Sequence, residues 1–102
     1  MEMTPEQLTK LKALSKSITD FEEELKSGEI SNLYAATHEA GGGDLVIKAN
    51  SEGLIYFAGI LLSLAADANE NQHYHYDKTS ILSECDRPIV FQFNKAPWPS
   101  PK

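Results

Sequence analysis

The stretch DLVIKANSEGLIYFAGILLSLAADANENQHYHYD, residues 44–77, decides the fold of this 102-residue chain. A short apolar strand opens it, a helix over about 54–68 follows, and a strand with alternating side chains closes it over 73–77. With a further strand over 89–93, residues 44–94 make a β-α-β-β unit. The sequence therefore predicts the α+β fold class, in which a long N-terminal helix precedes this unit and its small, largely antiparallel sheet.

The residues ahead of this unit predict one long amphipathic helix. Thr4 and Gln7 stand at the spacing of a capping box, and Pro5 suits the first helical position. Gly28 suits the residue that follows a helix end. Apolar residues recur at helical spacing in between, namely at Leu8, Leu11, Leu14, Ile18, Phe21 and Leu25. We expect this stripe to pack inside the molecule, although its spacing also suits a partner helix in a homodimer.

The central helix is apolar on nearly all sides, which predicts burial on more than one side. We expect it to lie between the sheet and the N-terminal helix, or against another chain, with Ser51 as its N-cap. Three of its residues, Ala58, Gly59 and Ala66, are small enough to let a neighbouring element approach closely.

The segments around the core are interpreted as connections. The spacing of Ile30, Leu33, Tyr34 and Thr37 favours a short second helix, and Gly41–Gly43 supplies a flexible joint. These glycines precede a strand rather than a helix, which argues against a phosphate-binding loop. The chain is thus predicted to be a single domain, residues 1–102, in four parts: the N-terminal helix (1–28), a linker with the glycine joint (29–43), the core (44–94) and a proline-rich tail (95–102).

Composition limits the classes of function. The net charge of −6 and the pI of about 4.9 argue against nucleic acid and anionic membrane as direct ligands, because both require a cationic surface. An acidic chain suits a cationic protein partner. The N-terminus lacks the continuous apolar segment of a secretory signal, and the central apolar run is shorter than the roughly 20 residues that cross a bilayer. With Cys85 as the single cysteine, we expect a cytoplasmic location.

The strand over 73–77 carries the most suggestive pattern of polar residues. His73, His75 and Asp77 fall on one face because side chains alternate along a strand, and two imidazoles with a carboxylate could bind a divalent metal. In the other interpretation this is a polar outer face, with Tyr74 and Tyr76 turned inward. No catalytic arrangement of residues is recognised, so we expect neither enzymatic activity nor a cofactor.

Acidic residues cluster near the end of the N-terminal helix, at Asp20, Glu22, Glu23 and Glu24. This is the unfavourable end for negative charge, because the helix dipole places partial negative charge at the C-terminus. The cluster is interpreted either as an interaction surface or as an ordinary solvated face.

Three motifs resemble those of a known family: Glu52-Gly53-Leu54 at the start of the leucine- and alanine-rich helix, His73-x-His75-x-Asp77 in the next strand, and Arg87-Pro88-Ile89-Val90-Phe91 in the last. Together they are similar to the immunity protein 32 family, small antidote proteins of bacterial polymorphic toxin systems. The resemblance implies a cytoplasmic protein that binds and neutralises a cognate toxin and has no catalytic role of its own.

Two other functions stay open beside this one: a small metal- or ligand-binding protein that uses His73, His75 and Asp77, and a helix-mediated dimer with a structural or regulatory role. For the immunity function, an acidic surface is expected to occlude the active site of the toxin. The predicted partner-binding residues are Asp20, Glu22, Glu23, Glu24, His73, His75, Asp77 and Trp98.

Overall fold

The computed structural model describes residues 3–26 and 33–94, and within them it contains two helices and five strands. The α+β class and the long N-terminal helix are confirmed. In chain order the elements are α1 (Pro5–Lys26), β1 (Ala35–Glu39), β2 (Leu45–Ala49), α2 (Ser51–Asp67), β3 (His73–Tyr76), β4 (Glu84–Cys85) and β5 (Ile89–Gln92).

The predicted capping box begins α1. The backbone N–H of Thr4 donates to the side-chain oxygen of Gln7 (2.9 Å), and the N–H of Gln7 donates to the Thr4 hydroxyl (3.1 Å). These two bonds satisfy backbone donors that have no partner inside the helix, so the start of α1 is fixed locally.

As predicted, α2 lies between α1 and the strands. The two helices run antiparallel, since Lys12 pairs with Asp67 (Nζ to Oδ1, 3.6 Å) and the carboxylate of Glu22 lies over Gly59 further back along α2. Gly59 has no side chain, and this absence leaves the space that Glu22 occupies.

The apolar stripe predicted for α1 is only half correct. Leu8, Leu11 and Ile18 are partly buried against α2, whereas Leu14, Phe21 and Leu25 are exposed. The residues of α1 that face α2 are instead those at positions 8, 11, 15, 18 and 22. They include the buried Ser15 and the half-buried Glu22. The small residues on the facing side of α2 allow this, because they accept polar side chains where two large apolar rows would not fit.

The N-cap of α2 is Asn50 and not Ser51 as predicted. The Asn50 side-chain oxygen accepts from the N–H of Gly53 (2.9 Å) and from the N–H of Tyr34 (3.1 Å), and the Asn50 N–H donates to the Tyr34 carbonyl (3.2 Å). The Asn50 side chain therefore caps the helix and also binds the segment that leads into β1. The hydroxyl of Ser51, one residue later, does neither.

The short helix predicted around residues 30–38 is wrong where the chain is described: residues 35–39 form β1. This strand is the centre of a three-stranded sheet, antiparallel to β2 and parallel to β4. Ala35, Ala36 and Thr37 are all fully buried. Backbone pairing on both sides outweighs the weak helical spacing of the local sequence, because strand formation depends strongly on context.

The glycines of the predicted joint make the hairpin turn between β1 and β2. Gly42 and Gly43 have φ values of 95° and 91°, which residues with a Cβ rarely adopt. The Gly43 N–H donates to the Ala40 carbonyl (3.1 Å), and the Ala40 N–H donates to the Asp44 carbonyl (2.7 Å).

The strands form two sheets, ordered β2-β1-β4 and β3-β5. In the second sheet β3 and β5 are antiparallel, with Tyr76 opposite Ile89 and His73 opposite Gln92. Two of the three strand pairings among the described residues are thus antiparallel. The β-α-β-β unit is present in chain order, but β2 belongs to a different sheet from β3 and β5.

The core joins both sheets to α2. Its buried members are Ala35, Phe57, Tyr76, Leu82 and Ile89. Phe57 meets Tyr76 edge to face, with ring centroids 5.5 Å apart, a favoured geometry for aromatic pairs. Burial raises the pKa of the Tyr76 hydroxyl well above its ordinary range, and the hydrogen bond with the Tyr56 hydroxyl (3.3 Å) acts in the same direction.

This packing predicts that Gly53→Ala destabilises the fold more than Gly59→Ala or Gly41→Ala does. A Cβ at residue 53 would collide with the backbone carbonyl of Tyr34, which cannot move without disturbing β1. We expect a loss of about 1–3 kcal/mol in the free energy of unfolding, measured by urea denaturation. At Gly59 the obstacle is the mobile side chain of Glu22, so Gly59→Ala should cost less.

Gly41→Ala is the matched control for this prediction. Space around Gly41 is open and its backbone conformation is accessible to alanine, so its stability should stay within about 0.5 kcal/mol of the wild type. If Gly53→Ala were as stable as Gly41→Ala, the close approach of α2 to Tyr34 would be contradicted.

Candidate partner-binding surface

Strand β3 has the alternation that the sequence predicts. Tyr76 is buried and Tyr74 is partly buried, whereas His73 and His75 are exposed. The tyrosines pack towards the core while the histidines face outward. The polar-face interpretation of this strand is therefore confirmed.

The two histidines have different neighbours. The Nδ1 of His73 lies 3.1 Å from the carbonyl of Asn71, a residue with the left-handed φ of 65°. The Nδ1 of His75 lies 3.7 Å from Oδ2 of Asp77. His73 is thus turned towards the loop before the strand, and His75 towards the loop after it.

Asp77 caps the turn that follows β3. Its Oδ1 accepts from the hydroxyl of Thr79 (2.7 Å) and from the backbone N–H of Thr79 (2.9 Å), while the N–H of Asp77 donates to the Ser80 hydroxyl (2.9 Å). The two hydrogen bonds that the carboxylate accepts from Thr79, the hydroxyl first, lower the pKa of the Asp77 carboxyl, and His75 adds to the effect. Asp77 consequently has a local structural role.

His73, His75 and Asp77 do not converge on one point. In the ranges 3–26 and 33–94, no group of three or more His, Cys, Asp or Glu side chains is placed to hold a metal ion. The physical reason lies in the neighbours just described: Asp77 is engaged by Thr79, and His73 faces Asn71. The metal-binding alternative has no geometric support in this strand.

The predicted acidic cluster on α1 is divided by the helix. Asp20 is exposed and pairs with Lys16 (2.9 Å), and Glu23 and Glu24 are exposed as well. Glu22 points the other way, over Gly59. Consecutive helical residues are about 100° apart, so four acidic residues within five positions cannot share one face.

A fifth carboxylate, that of Glu52, lies beside Glu22 through the tertiary structure. Glu22 and Leu25 of α1 line one small crevice with Glu52 and Tyr56 from the first turns of α2. Antiparallel packing therefore places the acidic half of α1 beside the N-terminus of α2, where the helix dipole favours negative charge. We call this region the acidic end; it comprises Asp20, Glu22, Glu23, Glu24 and Glu52.

The acidic end and strand β3, which carries His73 and His75, lie on different sides of α2. Gly59 meets α1, whereas Phe57, on nearly the opposite side of α2, stacks against Tyr76 of β3. The predicted partner-binding residues consequently form two separate surfaces. Trp98 lies outside the described residues.

One further charged group escaped the sequence analysis. The Nε2 of His38 lies 3.0 Å from the carboxylate of Glu84, and its Nδ1 lies 3.6 Å from that of Asp86. Arg87 contacts the carboxylate of Glu39, whose backbone N–H donates to Asp86 (2.9 Å). The parallel pairing of β1 with β4 brings these residues together across more than forty positions, so no local sequence signal could have found them.

The fold and its surface define a small, acidic α+β protein, and no helix in the described part of the chain is long and apolar enough to cross a membrane. The family model of Immunity protein 32 matches residues 44–94, which is half of the chain. The chain belongs to the Immunity protein 32 family, as the motifs that begin at Glu52, His73 and Arg87 indicated. No curated protein and no solved structure matches it significantly.

The bonds around Asp77 predict a pH-dependent contribution to stability. The carboxyl pKa is lower in the folded chain than its ordinary value of 3.8, so the ionised form stabilises the fold. That stabilisation is complete above the ordinary pKa and is lost as the pH falls through the lowered one. Asp77→Asn should therefore be less stable than the wild type at neutral pH, and the difference should shrink as the pH falls below 3.8.

Urea denaturation of both proteins at several pH values measures this difference, and the other carboxylates cancel because both chains contain them. Thr79→Val is the informative control, since it keeps the carboxylate and the backbone donor but removes the hydroxyl bond. Thr79→Val should therefore lose part of the stability that Asp77→Asn loses at neutral pH. A difference that is the same at neutral and acidic pH would contradict the role given to Asp77.

Proposed function

We propose that this protein is the immunity partner of a bacterial toxin, which it binds in the cytoplasm and neutralises by covering the toxin's active site. The observation that carries the proposal is membership of the Immunity protein 32 family. On this proposal the protein acts by binding alone, which fits the expectation, drawn from the sequence, that it has no enzymatic activity.

We further propose that the acidic end supplies the electrostatic part of the toxin contact. Glu22 and Glu52 line one crevice there, and Asp20, Glu23 and Glu24 are exposed on the neighbouring turns of α1, on a chain whose net charge is −6. Toxins that cleave nucleic acid need a cationic active site to hold phosphates, and such a site attracts an acidic protein. Charge complementarity of this kind accelerates association and weakens as salt is added.

His73, His75 and Asp77 remain proposed contact residues of a second kind. Two of them are exposed on β3, but α2 separates this strand from the acidic end. A toxin that covers the acidic end reaches the histidines only if it extends around the domain. Variants at the two surfaces therefore report on different parts of the interface.

The binding partner in the test is the toxin encoded beside this protein's gene. We expect slower association with it when the exposed charges of the acidic end are reversed. The variant combines Asp20→Lys, Glu23→Lys and Glu24→Lys. It leaves Glu22 unchanged because that side chain packs over Gly59. By surface plasmon resonance we expect the association rate constant to fall by at least about tenfold, and its decrease with ionic strength to become shallower than in the wild type.

The control reverses the same number of exposed charges elsewhere, at Glu6, Asp44 and Glu70. It should retain most of the wild-type rate and salt dependence. Equal losses in both variants would show that net charge and not the acidic end drives association. Wild-type binding that is independent of salt would contradict the electrostatic contact, and the absence of any binding would contradict the immunity function itself.

A further inference from the structure

Large apolar side chains are exposed along one side of each helix. Leu14, Phe21 and Leu25 of α1 and Leu54 and Leu61 of α2 have between 37% and 59% of their surface accessible. A soluble protein rarely leaves so many large apolar groups open in one region unless the region binds something.

These residues lie on the same side of the helix pair. Lys12 and Asp67 form an ion pair across one side of it. At 100° per residue, Leu14, Phe21 and Leu25 stand roughly 140–180° around α1 from Lys12. Leu54 and Leu61 stand roughly 120–140° around α2 from Asp67 by the same measure. Since the helices are adjacent and antiparallel, both rows face away from the ion pair and form one continuous surface.

The spacing along both helices is that of a helix-bundle seam. On α1 the row is Leu14, Ile18, Phe21 and Leu25; on α2 it is Leu54, Ala58, Leu61 and Ala65. Ile18 and Ala58 are partly buried and border the rows, and the other six residues are exposed. Each row advances by 4, 3 and 4 residues, the interval at which side chains of one helix fit between those of another. We call these eight residues the exposed helical face.

We propose that a second copy of this chain packs onto the exposed helical face and forms a symmetric dimer with a four-helix bundle at its centre. The face is suited to its own copy because its two rows differ in size. Large residues fill the α1 row, whereas Ala58 and Ala65 leave gaps in the α2 row. Under two-fold symmetry the α1 row of one copy meets the α2 row of the other, so Phe21 and Leu14 have recesses to enter.

The area is sufficient for a specific dimer. If a large apolar residue has roughly 200 Å² of accessible surface, the five most exposed members of the face offer on the order of 500 Å² on each copy. Two copies would bury about 1,000 Å² from these side chains alone, which reaches the lower limit of specific interfaces. Ala58 and Ala65 add to this figure.

The exposed helical face suits a contact between two copies better than the rest of the surface does, because it carries no charge. All eight members of the face are uncharged, whereas the chain as a whole carries −6. Two copies therefore repel each other at long range but meet no like charges at the contact. Added salt should strengthen the dimer, which is the opposite of its effect on a charge-driven contact.

The dimer is tested by sedimentation velocity of the purified full chain at concentrations from about 1 to 100 µM, in low and moderate salt. We expect the dimer to dominate at the upper end and its fraction to rise with salt. Phe21→Lys and Leu61→Lys, one on each helix, should each weaken association by at least about tenfold, because a lysine would be buried there without a partner. Circular dichroism shows whether each variant is folded.

Val90→Lys is the matched control, since Val90 is 51% exposed but lies on β5, outside the exposed helical face. It should dimerise like the wild type. A wild-type chain that stays monomeric at about 100 µM would overturn the proposal, and would leave the face available to the toxin. Dimers that persist in both folded lysine variants, or that are lost equally in Val90→Lys, would overturn it as well.

Discussion

The side chain of Asn50 holds together the two parts of the chain on which the rest of the structure depends. Its single oxygen accepts hydrogen bonds from Gly53, at the start of α2, and from Tyr34, at the entrance to β1. Gly53 then lets the helix approach the Tyr34 carbonyl more closely than any side chain would allow. Because these contacts fix the direction of α2 relative to the central strand, they also fix where its aromatic side and its small-residue side point.

From that position α2 has three sides with different surroundings. Phe57 contacts the aromatic core of β3 and β5, Gly59 receives α1, and the row that contains Leu54 and Leu61 is left exposed. The acidic end is a consequence of the same geometry, since it requires the last turns of α1 to lie beside the first turns of α2. A helix that is apolar on nearly every side thus organises the core, the charged surface proposed to meet the toxin, and the face proposed to meet a second copy.

Local signals located the two long helices and the alternating strand. The capping box at Thr4 and the alternation in β3 depend on neighbours within a few residues, and both were predicted from the sequence. β1 could not be predicted in this way, because Ala35, Ala36 and Thr37 form a strand through pairing with β2 and β4 and not through their own pattern. The same limit applies to the surface: Glu52 joins the acidic residues of α1, and His38 joins Glu84, only through tertiary packing.

The proposed immunity function is tested by a titration of toxin activity. The activity of the purified cognate toxin would be measured while this protein is added in increasing amounts. If the protein neutralises the toxin, activity should fall to the background level as binding approaches saturation, with a fixed number of chains per toxin. Full toxin activity in the presence of a large excess of the folded protein would contradict it.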